Sequence, residues 1–252
     1  MAKRSDIVDF INDYLSIDDI KDYCKNGLQV EGAEEVTKIV SGVSCSLQLF
    51  EEAAKRNAQM VLVHHGLIWN HFPGCITGVF KNRFKALFDH DLNLVSYHLP
   101  LDAHQEIGHS AMIAKGIGLE NLKPFGSYNG AHIGVSGEYI NSLSLENVCE
   151  KITSVCGRKT LVLGENKTKV VKVAIVSGGG GDMASQAVDC GMDVFISGEG
   201  KEHSQAYCQE AGITFVEAGH YHSEKPGIIA LGKLISEKFP IEVEFVDIPN
   251  PV

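Results

Sequence analysis

The segment Met60-Val61-Leu62-Val63-His64-His65-Gly66 decides how this chain of 252 residues folds. An apolar, partly β-branched run that stops at two histidines and a glycine reads as a buried strand delivering two imidazoles to its carboxyl end. In an open α/β sheet, ligands bind in the crevice beyond such ends, where loops hold polar groups while the sheet stays dry. Consecutive strand residues point to opposite faces, so His64 and His65 are expected to suit two neighbouring ions better than one.

Working outward, Thr37 to Gly42 is apolar and β-branched, and Leu47 to Arg56 has helical periodicity, which completes a βαβ pattern with the strand at Met60. Trp69, Phe72 and Pro73 follow in a loop, then a helix around Asn82 to His90. A third strand, Asn93 to Tyr97, runs into His98-Leu99-Pro100-Leu101-Asp102-Ala103-His104. Ahead of this unit, Ser5 is the expected N-cap of a helix with Ile7, Phe10, Ile11, Tyr14 and Leu15 on one face. Asn26-Gly27 reads as a turn before the short strand Leu28-Gln29-Val30.

The same plan recurs downstream. Val170 to Gly178 echoes Val36 to Gly42, Met183 to Cys190 reads as a helix, and Met192 to Gly198 reads as an apolar strand. After a helix near Ser204 to Glu210, Ile213 to Ala218 ends at Gly219-His220-Tyr221-His222-Ser223-Glu224. Two copies are too few for a solenoid and predict two related α/β lobes, residues 1–125 and 126–252, with the boundary near Phe125.

Composition narrows the function classes. Thirty-two acidic against 22 basic residues give a formal charge of −10, which disfavours a broad phosphate-tracking nucleic-acid surface. Seven cysteines stand singly with no CxxC pair, as expected of reduced thiols in a cytoplasmic protein. No apolar run approaches the ~20 residues that a membrane span requires.

Eleven histidines would mean little if evenly spread, but seven fall between His64 and His109, and two flank Tyr221. On the strand reading, His64 and His65, His98 and Asp102, and His220 and Glu224 all leave the carboxyl ends of strands. Mixed imidazole and carboxylate sets accept zinc, iron, manganese or nickel. Two such ions can clamp a substrate oxygen and acidify water, so the pattern points to hydrolysis. Single histidines are more often hydrogen-bonded core or surface residues, the reading given to His71, His90, His104, His109, His132 and His203. Gly219 and Pro226-Gly227 around His220 and Glu224 favour a turn there over a helical i,i+4 pair.

A second candidate is the run Ser177-Gly178-Gly179-Gly180-Gly181-Asp182. Gly179, Gly180 and Gly181 would bind an anion through backbone N–H groups, or relieve crowding in a tight βα turn. Gly179-x-Gly181-x-x-Ala184, with Glu199 some twenty residues on, also fits a loose dinucleotide fingerprint.

At Asn26-Gly27-Leu28-Gln29-Val30-Glu31-Gly32, Val63-His64-His65-Gly66, Tyr97-His98-Leu99-Pro100-Leu101-Asp102, Ser197-Gly198-Glu199 and Gly219 to Glu224 the chain resembles the NIF-three-like family, whose members are commonly called GTP cyclohydrolase type-two homologues. The resemblance runs nearly end to end. It implies two interlinked α/β lobes with central mixed sheets, a dinuclear metal site between them and a ring-shaped homohexamer. It places His64 and Asp102 on one metal, His65 and His220 on the other, and Glu224 across both. His98 fits a proton-transfer position beside the site, and His222 is either a further ligand or a bystander. The expectation is a hydrolase with two divalent ions acting on a small molecule, a nucleotide or related cyclic amide. The rivals are a metal-binding regulatory or delivery protein and a dinucleotide binder.

Overall fold

Strands buried on both faces read as continuous apolar runs, and that is where parallel pairing is found. The computed structural model describes residues 1–252 and divides them into two compact units. The first comprises Met1–Leu101 with Ile228–Pro249; the second comprises Asp102–Gly227 with Asn250–Val252.

In the first unit a five-stranded mixed sheet has the order Glu242–Phe245, Lys38–Ser44, Met60–His65, Asn93–Ser96, Gly27–Val30. The first four are parallel, and the last closes the edge antiparallel to Asn93–Ser96. Val40, Val61 and Leu94 pack from three adjacent strands on Leu49 and Phe50 of the helix Leu47–Lys55. That helix starts where Ser46 Oγ accepts the Leu49 N–H at 3.1 Å, satisfying one of its orphan donors.

In the second unit six strands have the order Glu120–Tyr128, Ala131–Leu143, Val170–Val176, Val194–Ser197, Thr214–Glu217, Leu161–Gly164. Val170–Val176, Val194–Ser197 and Thr214–Glu217 are parallel, and antiparallel strands flank them. The recurrent plan therefore resolves into three adjacent parallel strands in each unit, extended in the first by a fourth parallel strand, Glu242–Phe245, and flanked in the second by antiparallel ones. The helix Leu145–Cys156 begins at a Ser144 cap and stops at Gly157, whose φ of 76° few other residues adopt.

The division differs from the expected boundary at Phe125. Ala111, Ile113 and Ile117 of the helix His109–Ile117 are buried against Val135, Val173 and Ile196, so residues 102–125 belong with the second core. Besides a last crossing between Pro249 and Asn250, the two long segments are exchanged inside helices, Leu99–Asp102 and Lys225–Lys238, and not in a Gly- or Pro-rich linker. Composition carries no mark of such a crossing.

Ser5 is not the N-cap of the first helix. Ala2–Lys3 pairs with Glu35–Val36, and the Arg4 side chain is tied to Gly32 O at 2.7 Å, so the helix Arg4–Leu15 begins two residues earlier, with Lys3 at the N-cap position. All seven cysteines are free thiols. Burial pushes Cys24 up to about 11 and Cys45 and Cys156 up to about 12, so these three behave as small apolar side chains. No helix is long and apolar enough to cross a membrane.

Candidate metal centre

Each unit carries a set of potential ligands at the carboxyl end of its parallel core. In the first, the ligand atoms of His64, His65 and His98 lie within 4.8 Å of one another. The rings of His64 and His65 approach to 4.6 Å between centroids, and His98 stands 4.9 and 5.6 Å from them. The expected divergence of adjacent strand residues therefore does not occur. Both histidines end the strand Met60–His65, and separate anchors hold the two rings, Tyr97 O for His64 and Ser44 Oγ on the neighbouring strand for His65.

Those anchors fix the ring chemistry. His64 Nδ1 lies 2.9 Å from Tyr97 O; a carbonyl only accepts, so Nδ1 carries the proton and Nε2 the lone pair. His98 Nδ1 lies 3.0 Å from the Asp22 carboxylate, with the same result. Ser44 Oγ sits 3.0 Å from His65 Nδ1. A metal-ligating histidine characteristically engages its distal nitrogen in this way, with a carboxylate, carbonyl or water fixing the tautomer.

Asp22 is itself built in. Its oxygens accept from His98 Nδ1, from the Cys24 N–H at 3.0 Å, from the Leu99 N–H at 2.9 Å and from Asn26 Nδ2 at 3.0 Å, and its side chain is 2% exposed. Burial opposes its ionisation, but the His98 hydrogen bond and charge, the Cys24 amide and the Asn26 side chain outweigh burial and hold the carboxyl down at about 2. Asn26 Oδ1 accepts the His98 N–H at 2.8 Å, so the loop clamps both the main chain and the ring of His98.

In the second unit Gly219, at φ 86°, turns the chain out of Thr214–Glu217 into a single helical turn, His220–Ser223. His220 Nε2 then meets Glu224 Oε1 at 3.1 Å across i,i+4. The helical pair is present where a turn was expected, because Ser223 N–H donates to Gly219 O at 2.9 Å and closes the turn. Glu199 Oε1 faces His220 Nδ1. Burial would lower the His220 pKa, but Glu224 and then Glu199 raise it, to about 9. An imidazole between two carboxylates holds its second proton until a cation takes that place.

Asp102, buried like Glu224, accepts a hydrogen bond from Ser177 Oγ at 3.3 Å, and its carboxylate lies within 4.8 Å of a His109 ring nitrogen. His109 is fully buried, and its Nδ1 accepts the Gly227 N–H at 3.2 Å. Gly178, φ 59°, follows Ser177, donates its N–H to Ser223 Oγ at 3.0 Å, and lies so close to Glu224 that a Cβ would fall on Oε1.

Packing accounts for two residues of the glycine run, whereas at Gly179 a Cβ would make only an ordinary contact with the His220 ring at 3.8 Å. Gly180 and Gly181 are buried; a Cβ would strike Val176 at the first and the Glu199 carbonyl at the second. Glu199, which a dinucleotide fingerprint would aim at a ribose, instead faces His220. His222 is accounted for elsewhere: its ring nitrogens lie 3.4 and 3.2 Å from Cys156 O and Asn250 O, where it ties down the carboxyl-terminal tail. Asp22 and Ser44 are the residues beside these ligands that sequence reasoning does not single out, and Glu199 is named there only in a dinucleotide fingerprint and a family motif.

A family profile described as Duf34/NIF3 (NGG1p interacting factor 3) matches residues 2–251. A Haemophilus influenzae protein named GTP cyclohydrolase 1 type 2 homolog is 42% identical over 242 residues, 96% of each chain. An Archaeoglobus fulgidus protein of the same name is 40% identical over 246 residues, 98% of each. Among solved structures, a Thermus thermophilus protein, TTHA1606, superposes with a TM-score of 0.92 at 31% identity over the whole of both chains. A protein titled ybgI, of unknown function, gives 0.91 at 37% identity, again over both whole chains.

Proposed function

Because this chain belongs to the Duf34/NIF3 family, we propose that it is a hydrolase dependent on two divalent cations and acting on a nucleotide or related cyclic amide. In this reading His64 and Asp102 hold one cation, His65 and His220 the other, and Glu224 serves both. The observation that carries it is the orientation of the imidazoles. Three of them, His64, His98 and His220, have Nδ1 engaged by a carbonyl or carboxylate oxygen, the arrangement that presents Nε2 to a cation or a proton, and His65 Nδ1 meets the Ser44 hydroxyl. The donor set, imidazole with carboxylate, suits zinc, iron, manganese or nickel.

Two cations so held would polarise a substrate oxygen and make water more acidic. The chain's own contribution is proton handling. His98, with Nδ1–H fixed by Asp22, keeps its lone pair on Nε2 and accepts a proton there, returning it to the leaving group as a general acid. Asp22 stays ionised throughout and stabilises the imidazolium when it forms. The nucleotide class follows the names of the curated relatives. The same family resemblance supports a homohexamer in the cytoplasm, and the mass in solution by light scattering checks the assembly.

Elemental analysis of protein purified without added metal, followed by a nucleotide-hydrolysis screen with and without chelator, tests the proposal. Two equivalents of metal and chelator-sensitive turnover that His65→Ala abolishes are expected. Turnover that survives chelation or His65→Ala overturns it. Tight metal binding with transfer to an apo partner and no turnover would favour the delivery reading.

A further inference from the structure

Beside the imidazole cluster of the first unit stands a group of aromatic rings that the metal reading does not use. Tyr23 and Trp69 lie 5.5 Å apart between centroids at 31°. Each meets the His98 ring at 5.1 Å and 73°. Trp69 is also 6.1 Å from His65, and it is nearly parallel to His71, at 22° and 6.2 Å.

These rings are fixed in place. Trp69 Nε1 donates to Gly66 O at 2.8 Å, and the main chain of Trp69 bridges antiparallel to Cys24. Asn70 N–H donates to Tyr23 O at 2.8 Å and Lys25 N–H to Ile68 O at 3.0 Å, so a short ladder holds the two segments together. Yet the rings are not core. Tyr23 is 41% exposed, His71 is exposed and Trp69 is half-buried. Aromatic faces that are rigid, open to solvent and adjacent to a proton-transfer histidine suit a flat ring, because base stacking on aromatic side chains needs only a π-face.

We propose that Tyr23 and Trp69 form a stacking platform for the purine of a nucleotide substrate, setting that ring beside His98 and the His64–His65 pair. The choice of a nucleotide rests on the hydrolase reading above; the platform rests on the rings. Stacking fixes the plane and position of the base and leaves its edge for polar groups to reach. Tyr23 and Trp69 are thus positioning residues for the base, and His71 provides a near-parallel neighbour to Trp69.

Trp69 is the only tryptophan, so its emission reports this position directly. Protein saturated with zinc is titrated with guanosine, GTP and inorganic tripolyphosphate, and zinc content is measured in parallel. Guanosine and GTP are expected to quench Trp69 saturably, and tripolyphosphate is expected to leave it unchanged. Tyr23→Ala should weaken guanosine binding about tenfold by the same signal. By equilibrium dialysis Trp69→Leu should do likewise, Trp69→Phe should restore most of the affinity, and all three variants should keep wild-type zinc stoichiometry.

Wild-type guanosine affinity in both Tyr23→Ala and Trp69→Leu overturns the platform, as does quenching by tripolyphosphate with none by guanosine. Either result with two zinc equivalents bound leaves the metal reading standing. Guanosine quenching in a protein that takes up no zinc sustains the platform and defeats the metal reading.

Discussion

Replacing Asp22 by asparagine removes one charge from a fully satisfied site without changing its size. The wild-type carboxyl sits at about 2 against the usual 3.8, and that difference corresponds to about 2 kcal/mol of folding free energy at neutral pH. Because the folded-state pKa is the lower one, the contribution is complete above about pH 4 and is lost as pH falls towards 2. Roughly half remains at pH 3. Urea unfolding followed by Trp69 emission, which reports the same unit, should place Asp22→Asn about 2 kcal/mol below wild type at pH 7 and only about 1 kcal/mol below at pH 3. The variant should also lose most nucleotide turnover, since a side-chain amide can turn its own N–H towards the His98 ring and no longer enforces the Nδ1–H tautomer. Parallel stability profiles for the two proteins across this range, or identical midpoints at pH 7, would refute the reasoning.

Three further outcomes follow from the second ligand set. Glu199→Gln removes the charge that orients His220 and should lower metal affinity roughly 10- to 100-fold, measured by competition with a chromogenic chelator, with little change in fold by circular dichroism. Gly178→Ala forces a Cβ onto Glu224 Oε1 at a positive φ; a loss of about 1–3 kcal/mol in stability and of metal stoichiometry is expected from urea titration and elemental analysis. Zinc added to chelator-treated protein at pH 7 should displace the second proton of His220, whose pKa of about 9 keeps it charged there; calorimetry in buffers of different ionisation enthalpy should register that release, with less of it at pH 9.5.

The parts of the site legible in the sequence are those coupled to a periodic element. His64 and His65 end an apolar strand, and the parallel cores at Lys38–Ser44 and Val170–Val176 are continuous apolar runs, so position and chemistry could be read together. Asp22 and Glu199 stand 76 and 21 residues from the histidines they face, and no spacing rule spans such tertiary distances. The motif His220-x-x-x-Glu224 was readable as a pair but not as a helix, because its single turn is held by Ser223 and Gly219 and not by any amphipathic stripe. His222, two residues along, shows the opposite failure: it has the right residue type beside the right motif, and its ring is occupied by main-chain carbonyls.

The excursion through residues 102–227 has a consequence for biosynthesis. When Leu101 leaves the ribosome, the strand Lys38–Ser44 has its inner neighbour but must wait for Glu242–Phe245, made about 140 residues later, to cover its other side. At ordinary elongation rates that delay is on the order of ten seconds, during which an apolar backbone edge is available to any passing nascent chain. The late-made segment thus acts as a closing hem, and a ribosome stalled before codon 242 would release a polypeptide whose earlier half is the part prone to clump.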